Sequence, residues 1–283
     1  MYEVVNGKLK LEHGSINKGI IAVSSGKGGV GKSTVTVNLA VALNKLGEKV
    51  GIIDADVHGF SVPRIIGLKE DVKAVNEKEI IPPEVNGIKV MSMGSFVSED
   101  NAVIWRAPLL SSALQQFMKD VHWEELDYLL LDLPPGTGDM PLNIMQKLPH
   151  AETLIVTTPQ ITATNVAGRI GKMAEKMDSD VIGVVENMAY YQCAECGHKD
   201  YIFGQGGGEE LAKKLGTEFL GQLPLLTDIR INSDEGRPVI TEQPESEAAK
   251  AFLEIGKKIM ERDIKFDPSL KPMFLKGGPG GKK

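Results

Sequence analysis

Short apolar runs alternate along this chain with longer stretches whose apolar positions recur every three or four residues. The first pattern is that of strands buried on both faces, and the second that of helices laid over a sheet. Residues 19–24 read as the first strand. Residues 32–46 read as a helix closed by Gly47, a residue suited to the left-handed turn that ends helices. Further strands are expected at 49–53, 88–93, 128–131, 152–157, 181–186 and 218–220. Helices are expected at 107–121, 162–177 and 208–215, with a closing amphipathic helix at 245–262. Residues 68–86, mixed, charged and proline-bearing, suggest an irregular excursion. This alternation predicts an α/β fold: a doubly wound, mostly parallel sheet with helices on both faces. Residues 1–18 read as an N-terminal lead-in, 19–262 as one domain, and 263–283 as a flexible Gly/Lys-rich tail.

The 283 residues suit one large domain, and the net charge of −6 argues against an electrostatic grip on nucleic acid. No apolar run approaches the roughly 20 residues needed to cross a bilayer, and no leader-like segment opens the chain. Phe274 and Leu275 lie beside lysines in the tail, but its prolines and glycines oppose a membrane-binding helix. A soluble, cytoplasmic protein with neither membrane nor nucleic acid as partner is the expectation. The two cysteines are too close together to staple a fold.

The candidate chemistry begins at Gly26-Lys27-Gly28-Gly29-Val30-Gly31-Lys32-Ser33, between the first strand and the first helix. This is a P-loop. Its glycines let backbone N–H groups wrap phosphates, Lys32 reaches the β/γ oxygens, and Ser33 offers a hydroxyl to Mg²⁺. Gly26, Lys27, Gly28, Gly29, Val30, Gly31, Lys32, Ser33 and Thr34 are the expected nucleotide contacts. Lys27 is less ordinary. Either it is a solvated surface lysine, or it reaches the nucleotide of a facing subunit and acts as an arginine finger does. The second reading makes the protein a dimer.

Tyr128-Leu129-Leu130-Leu131-Asp132 has the form of a Walker B strand that delivers a carboxylate toward Mg²⁺. The following Leu133-Pro134-Pro135-Gly136-Thr137-Gly138-Asp139 reads as a switch loop for the γ-phosphate, with Gly136 allowing close approach, or as a plain tight turn. Asp54 and Asp56 flank Ala55. Asp56 is the candidate for positioning the attacking water and Asp54 its support, helix capping being the competing role. His58 is a lone loop histidine and receives no role. Asn187, at a strand end, suits the edge of a nucleobase or a turn.

Cys193-Ala194-Glu195-Cys196-Gly197-His198 is the second chemical feature. A lone C-x-x-C fits a metal site, a redox pair or an inert pair. Zinc and cubane iron–sulfur sites usually want four protein ligands, and the chain holds no further cysteine. Two chains that each lend Cys193 and Cys196 would meet that number. His198 as a third ligand in one chain is the weaker solution. Thioredoxin-like chemistry is disfavoured because the motif does not open a helix. Met173, Met177 and Met188 read as gap-filling core residues.

Taken together, the P-loop with Lys27, Asp54-Ala55-Asp56-Val57-His58-Gly59, the Asp132–Asp139 loop and the cysteine pair resemble the Mrp family of iron–sulfur cluster carrier ATPases. The resemblance runs from about residue 19 through the final helix. The P-loop alone is similar to a wider group that includes nitrogenase iron protein and the septum- and plasmid-positioning ATPases. The resemblance implies a homodimer that hydrolyses ATP·Mg²⁺ and carries a bridging [4Fe–4S] cluster on Cys193 and Cys196 of both chains, received from cluster donors and passed to apo-proteins. It also implies Lys27 as the cross-subunit lysine, Lys32 and Ser33 as phosphate and Mg²⁺ contacts, Asp56 as the hydrolytic acid, Asp132 as the Walker B acid and Asn187 as an adenine contact. Some relatives hold a second cluster on a cysteine-rich N-terminal extension; residues 1–18 contain no cysteine, so none is expected here. Thiolates accept either metal, so a zinc-bridged chaperone ATPase remains the nearest alternative, and a cell-positioning ATPase a more distant one.

Overall fold

The computed structural model of the chain describes residues 2–57, 59–76, 79–96, 107–193, 195–262 and 264–270. The elements in the first half are β1 (Glu3–Val5), β2 (Lys8–Leu11), β3 (Gly14–Ser25), α1 (Lys32–Lys45), β4 (Val50–Asp54), α2 (Val62–Ile66), β5 (Lys73–Asn76), β6 (Glu79–Ile81), β7 (Glu84–Val85), β8 (Ile88–Ser92), α3 (Ala107–Asp120) and β9 (Glu124–Asp132). The second half holds α4 (Asp139–Lys147), β10 (Ala151–Thr157), α5 (Ile161–Lys176), β11 (Val181–Glu186), β12 (Tyr191–Gln192), β13 (Lys199–Asp200), α6 (Gly207–Leu215), β14 (Phe219–Gln222), α7 (Thr227–Asp234), α8 (Val239–Glu242) and α9 (Glu247–Met260).

Side-chain alternation within the apolar runs builds two cores, one on each face of a single sheet. Along β3, Ile20 and Ala22 enter one core while Ile21 and Val23 enter the other. Leu129 and Leu131 of β9 likewise oppose Tyr128 and Leu130. Residues of α3 to α6 fill the first core, and those of α1, α2, α8 and α9 the second. Helix α1 is buried almost all round from Val35 to Leu43, Thr36 and Asn38 included, because it lies between the sheet and α9.

The strand order is β14-β11-β10-β3-β9-β4-β8-β7, parallel from β14 to β8, with β7 antiparallel at the edge. From β3 the chain first builds toward β4 and β8, later placing β9 between β3 and β4, and then turns the other way through β10, β11 and β14. The doubly wound parallel sheet expected from the sequence is therefore the observed one. The reversal beside β3 opens a crevice at the C-terminal ends of the strands, where α/β sheets bind ligands.

Several boundaries differ from the sequence reading. The strand expected at 128–131 starts at Glu124, since its first acidic residues pair along β3 at the margin of the sheet. Residues 68–86 are not wholly irregular: β5 and β6 form a hairpin, and β7 pairs with β8. Residues 3–11 form the β1–β2 hairpin, which continues the sheet beside the first half of β3. Residues 264–270, beyond α9, stay on the body, with Phe266 buried edge-on against His150. The rest of the expected tail, residue 263 and residues 271–283, lies outside the described residues, as do His58 and Ala194. Among the described residues no helix is long and apolar enough to cross a membrane.

Candidate functional site

Register decides what meets at the crevice. Val23 of β3 is paired with Asp132 at the end of β9, and Asp132 is paired in turn with Asp54 at the end of β4. The loop after β3 turns over these strand ends into α1. Gly31 takes φ of 82°, and a β-carbon there would lie 2.2 Å from the Asn187 amide nitrogen, so only glycine fits. That amide donates to the Val30 carbonyl at 2.8 Å and braces the loop from behind. Lys27 is exposed at the crest of the loop.

Three side chains of α1 converge on Asp132. The Ser33 hydroxyl donates to one carboxylate oxygen at 2.6 Å and the Thr36 hydroxyl to the other at 2.8 Å. The Lys32 ammonium lies 2.8 Å from that second oxygen and 3.3 Å from Asp56. Asp54 turns inward and accepts from the backbone N–H groups of Asp56 and Val62 and from the Ser92 hydroxyl. Burial, and after it the charge of Asp132, pushes the Asp54 carboxyl well above its ordinary range, while the Asp56 N–H pulls it down. Asp132 and Asp56 around one ammonium still leave surplus negative charge at the strand ends, and with the Ser33 hydroxyl they form a donor set that fits a hard divalent cation.

In the loop after β9, the Gly136 N–H donates to the Ser25 carbonyl at 2.7 Å, so it is tied to the strand that feeds the P-loop. Beside Gly31 and Asn187 a cavity of about 360 Å³ opens between α2 and α7, lined by Thr34, Arg64, Met188, Leu226 and Ser233 among others. Its size falls within the range of small-molecule sites. Met188, expected in the core, instead lines this cavity, whereas Met173 is buried in the core as expected.

The cysteine segment roots in the same place. Beyond Asn187, the Ala189 N–H donates to the Leu223 carbonyl at 2.9 Å and the Leu225 N–H to the Tyr190 carbonyl at 2.7 Å. The chain then forms the β12–β13 hairpin, closed by Cys193 N–H to the His198 carbonyl and Gly197 N–H to the Cys193 carbonyl. Cys193 is half-buried and Cys196 exposed. Backbone N–H groups of Cys196 and then Glu195, aided by the Cys196 thiol, hold the Cys193 thiol below its ordinary range. Glu247 at the start of α9 anchors the hairpin: it accepts from the Tyr190 hydroxyl at 2.8 Å and pairs with Lys199, whose ammonium stands 4.0 Å above the Tyr190 ring.

Each residue that the sequence nominated for the nucleotide thus lies at or beside one crevice, and the cysteines lie on a hairpin leading from it. Thr36, Ser92, the cavity wall and the Glu247 anchor were not anticipated. Thr36 stands one helical turn beyond Ser33, a spacing that could have revealed it. The wall at Leu225 and Leu226 follows a strand end, which was also a usable signal.

A family model described as ParA, NUBPL iron-transfer P-loop NTPase, matches residues 16–260. The chain is 53% identical over 205 residues to an iron-sulfur cluster carrier protein of Bacillus subtilis, covering 72% of this chain and 58% of that protein's length. It is 48% identical over 262 residues to a protein of the same name from Pyrococcus horikoshii, covering 87% of this chain and 88% of the relative. A nucleotide-binding protein from Archaeoglobus fulgidus, solved in complex with ADP and with cobalt found in it, superposes with a TM-score of 0.71 at 44% identity, covering 83% of this chain and 92% of that one. The P-loop held against Asp132, on this sheet and over this span of likeness, leaves one assignment: the chain belongs to the ParA family of P-loop NTPases, in its NUBPL iron-transfer group.

Proposed function

We propose that the protein is a homodimeric, cytoplasmic ATPase that takes a [4Fe–4S] cluster from cluster donors, holds it between the cysteine pairs of two chains and passes it to apo-proteins. The observation that carries this reading is the root of the cysteine hairpin. Asn187 touches the P-loop, Leu225 of the cavity wall is bonded to Tyr190, and Cys193 follows three residues later. The relatives' name supports the cargo. The count of two cysteines supports the second chain, since a cubane cluster is held by four thiolates.

In this reading adenine enters the cavity beside Asn187, and the loop N–H groups receive the phosphates. Lys32 leaves Asp132 and Asp56 for the β/γ oxygens. Ser33 and Asp132 would hold Mg²⁺, which supplies neutralising charge to those oxygens. Asp56, released from Lys32, orients the water, and Lys27 of the facing chain meets the charge that develops on the transferring phosphoryl group. Loss of the γ-phosphate relaxes the Gly136 loop, and through Ser25 and the P-loop the shift reaches Asn187 and the sulfurs.

Anaerobic reconstitution followed by visible absorption tests the cargo: broad charge-transfer absorption that disappears in the Cys193→Ala, Cys196→Ala variant is expected. A colourless, zinc-loaded dimer rejects the cluster. Transfer to an acceptor measured with ATP, with ADP and without nucleotide tests the coupling, and one indistinguishable rate in all three conditions rejects it.

A further inference from the structure

Three metal-binding side chains from separate segments meet at the end of the sheet remote from the P-loop. His13 lies in the turn between β2 and β3, Glu79 opens β6, and His122 lies between α3 and β9. Their ligand atoms all fall within 4.8 Å of one another. The two imidazoles are stacked, with centroids 4.2 Å apart and planes at 13°. The His122 Nε2 atom is sealed from solvent without a hydrogen-bond partner, and a Glu79 carboxylate oxygen stands 3.6 Å from it. That gap is too long for a hydrogen bond. It is close to the roughly 3.3–3.4 Å that separates two donors bound at about 2.0–2.1 Å to one tetrahedral ion.

The backbone around these side chains is built for close approach. The Glu124 N–H donates to the His13 carbonyl at 3.1 Å, and the His122 N–H to the Ile80 carbonyl at 2.9 Å. Ile80 also bridges Val121, so all three segments are tied main chain to main chain. Gly14 makes the first of these contacts possible: at φ of 145°, a β-carbon there would lie 2.0 Å from the Glu124 carbonyl oxygen. The Glu124 carboxylate pairs with Lys89 at 2.9 Å, and Glu79 is the acid whose oxygen falls within reach of both histidine ligand atoms. Rotation of a histidine ring about its second side-chain torsion is soft, so the two stacked rings can turn their lone pairs toward a common point.

We propose that His13, Glu79 and His122 form a binding site for one borderline divalent transition ion, of which zinc is the representative, with the fourth position left to water. The site is independent of the cysteines and of the cluster reading: the length of β3, about 40 Å at ~3.3 Å per residue, lies between it and the P-loop. A bound ion would fasten the β5–β6 hairpin to the β2–β3 turn and to the entry of β9. Metal measured on this protein would then comprise two chemically distinct populations.

The test uses full-length protein carrying Cys193→Ser and Cys196→Ser, dialysed against micromolar zinc and assayed for retained metal, with far-ultraviolet circular dichroism and nucleotide binding as controls for the fold. One zinc per chain is expected, with affinity falling about tenfold or more when His122→Ala is added. Cobalt in place of zinc should give visible ligand-field bands without sulfur charge transfer. Should the histidine variant fail to fold, Glu79→Gln, a substitution at a half-exposed side chain, serves instead with the same expected weakening. Absence of zinc from the cysteine-free protein, or zinc held equally well after His122→Ala or Glu79→Gln, overturns the site.

Discussion

Asp132 receives two hydroxyls and an ammonium, and it is fully buried. Deleting one donor therefore strands part of a buried carboxylate. Thr36→Val, nearly isosteric, should cost about 1–3 kcal/mol of stability in urea denaturation and weaken nucleotide binding as well. Lys27 is exposed, so Lys27→Met should leave stability within about 0.5 kcal/mol; if it reaches the facing nucleotide as proposed, turnover should fall about 10²-fold or more, the signature of a charge used only in the transition state. Glu152 offers a pH test away from the site. Burial raises its carboxyl to about 7 against the pull of Arg262, and one of its oxygens has no hydrogen-bond partner. Folding thus favours the protonated form: its contribution is whole below about 4.5 and is lost as pH rises through about 7. Partial exposure screens the penalty to about 1–2 kcal/mol. Glu152→Gln should therefore raise the urea midpoint near pH 8 and converge with the wild type near pH 4.

At the scale of elements, the cysteine hairpin is held to the body by Tyr190, Lys199 and Glu247 rather than by a core of its own. Glu247→Gln combined with Lys199→Met should speed amide exchange at Cys193 and Gly197 by about tenfold, equivalent to about 1.4 kcal/mol, without altering nucleotide affinity. Runs such as 19–24 and 181–186 revealed their strands because each is apolar on both faces and bounded by small or polar residues. The β1–β2 hairpin escaped notice because Lys8–Leu11 alternates charged and apolar residues over only four positions. Helices α2 and α8 are a few residues long, shorter than any helical period can reveal. The P-loop and cysteine residues were legible as motifs, since their chemistry needs fixed local spacing. The bracing of Gly31 by Asn187 and the anchoring of the hairpin by Glu247 depend on sheet register and long-range packing, which local spacing does not encode.

In the whole molecule, one end of the sheet gathers the nucleotide crevice and the root of the sulfur hairpin, while the other holds the histidine cluster. A second copy meeting the first end would bring both of its contributions at once, Lys27 and the cysteine pair. Sedimentation should accordingly show ATP and the reconstituted cluster each favouring the dimer, with Cys193→Ser and Cys196→Ser removing only the cluster-dependent part. A protein that stays monomeric with both ligands bound counts against the shared cage.

The strands β12 and β13 pair only with each other and take no part in the central sheet. Peroxide damage that converts the exposed Cys196 to an acid would therefore spoil the thiol without unfolding the chain around it. On the proposed function, what remains is a chain that still turns over ATP but has lost one of the four sulfurs of the shared cage. In that reading a damaged chain paired with a sound one spoils the cage of both, so oxidative injury should exceed the simple loss of the damaged copies.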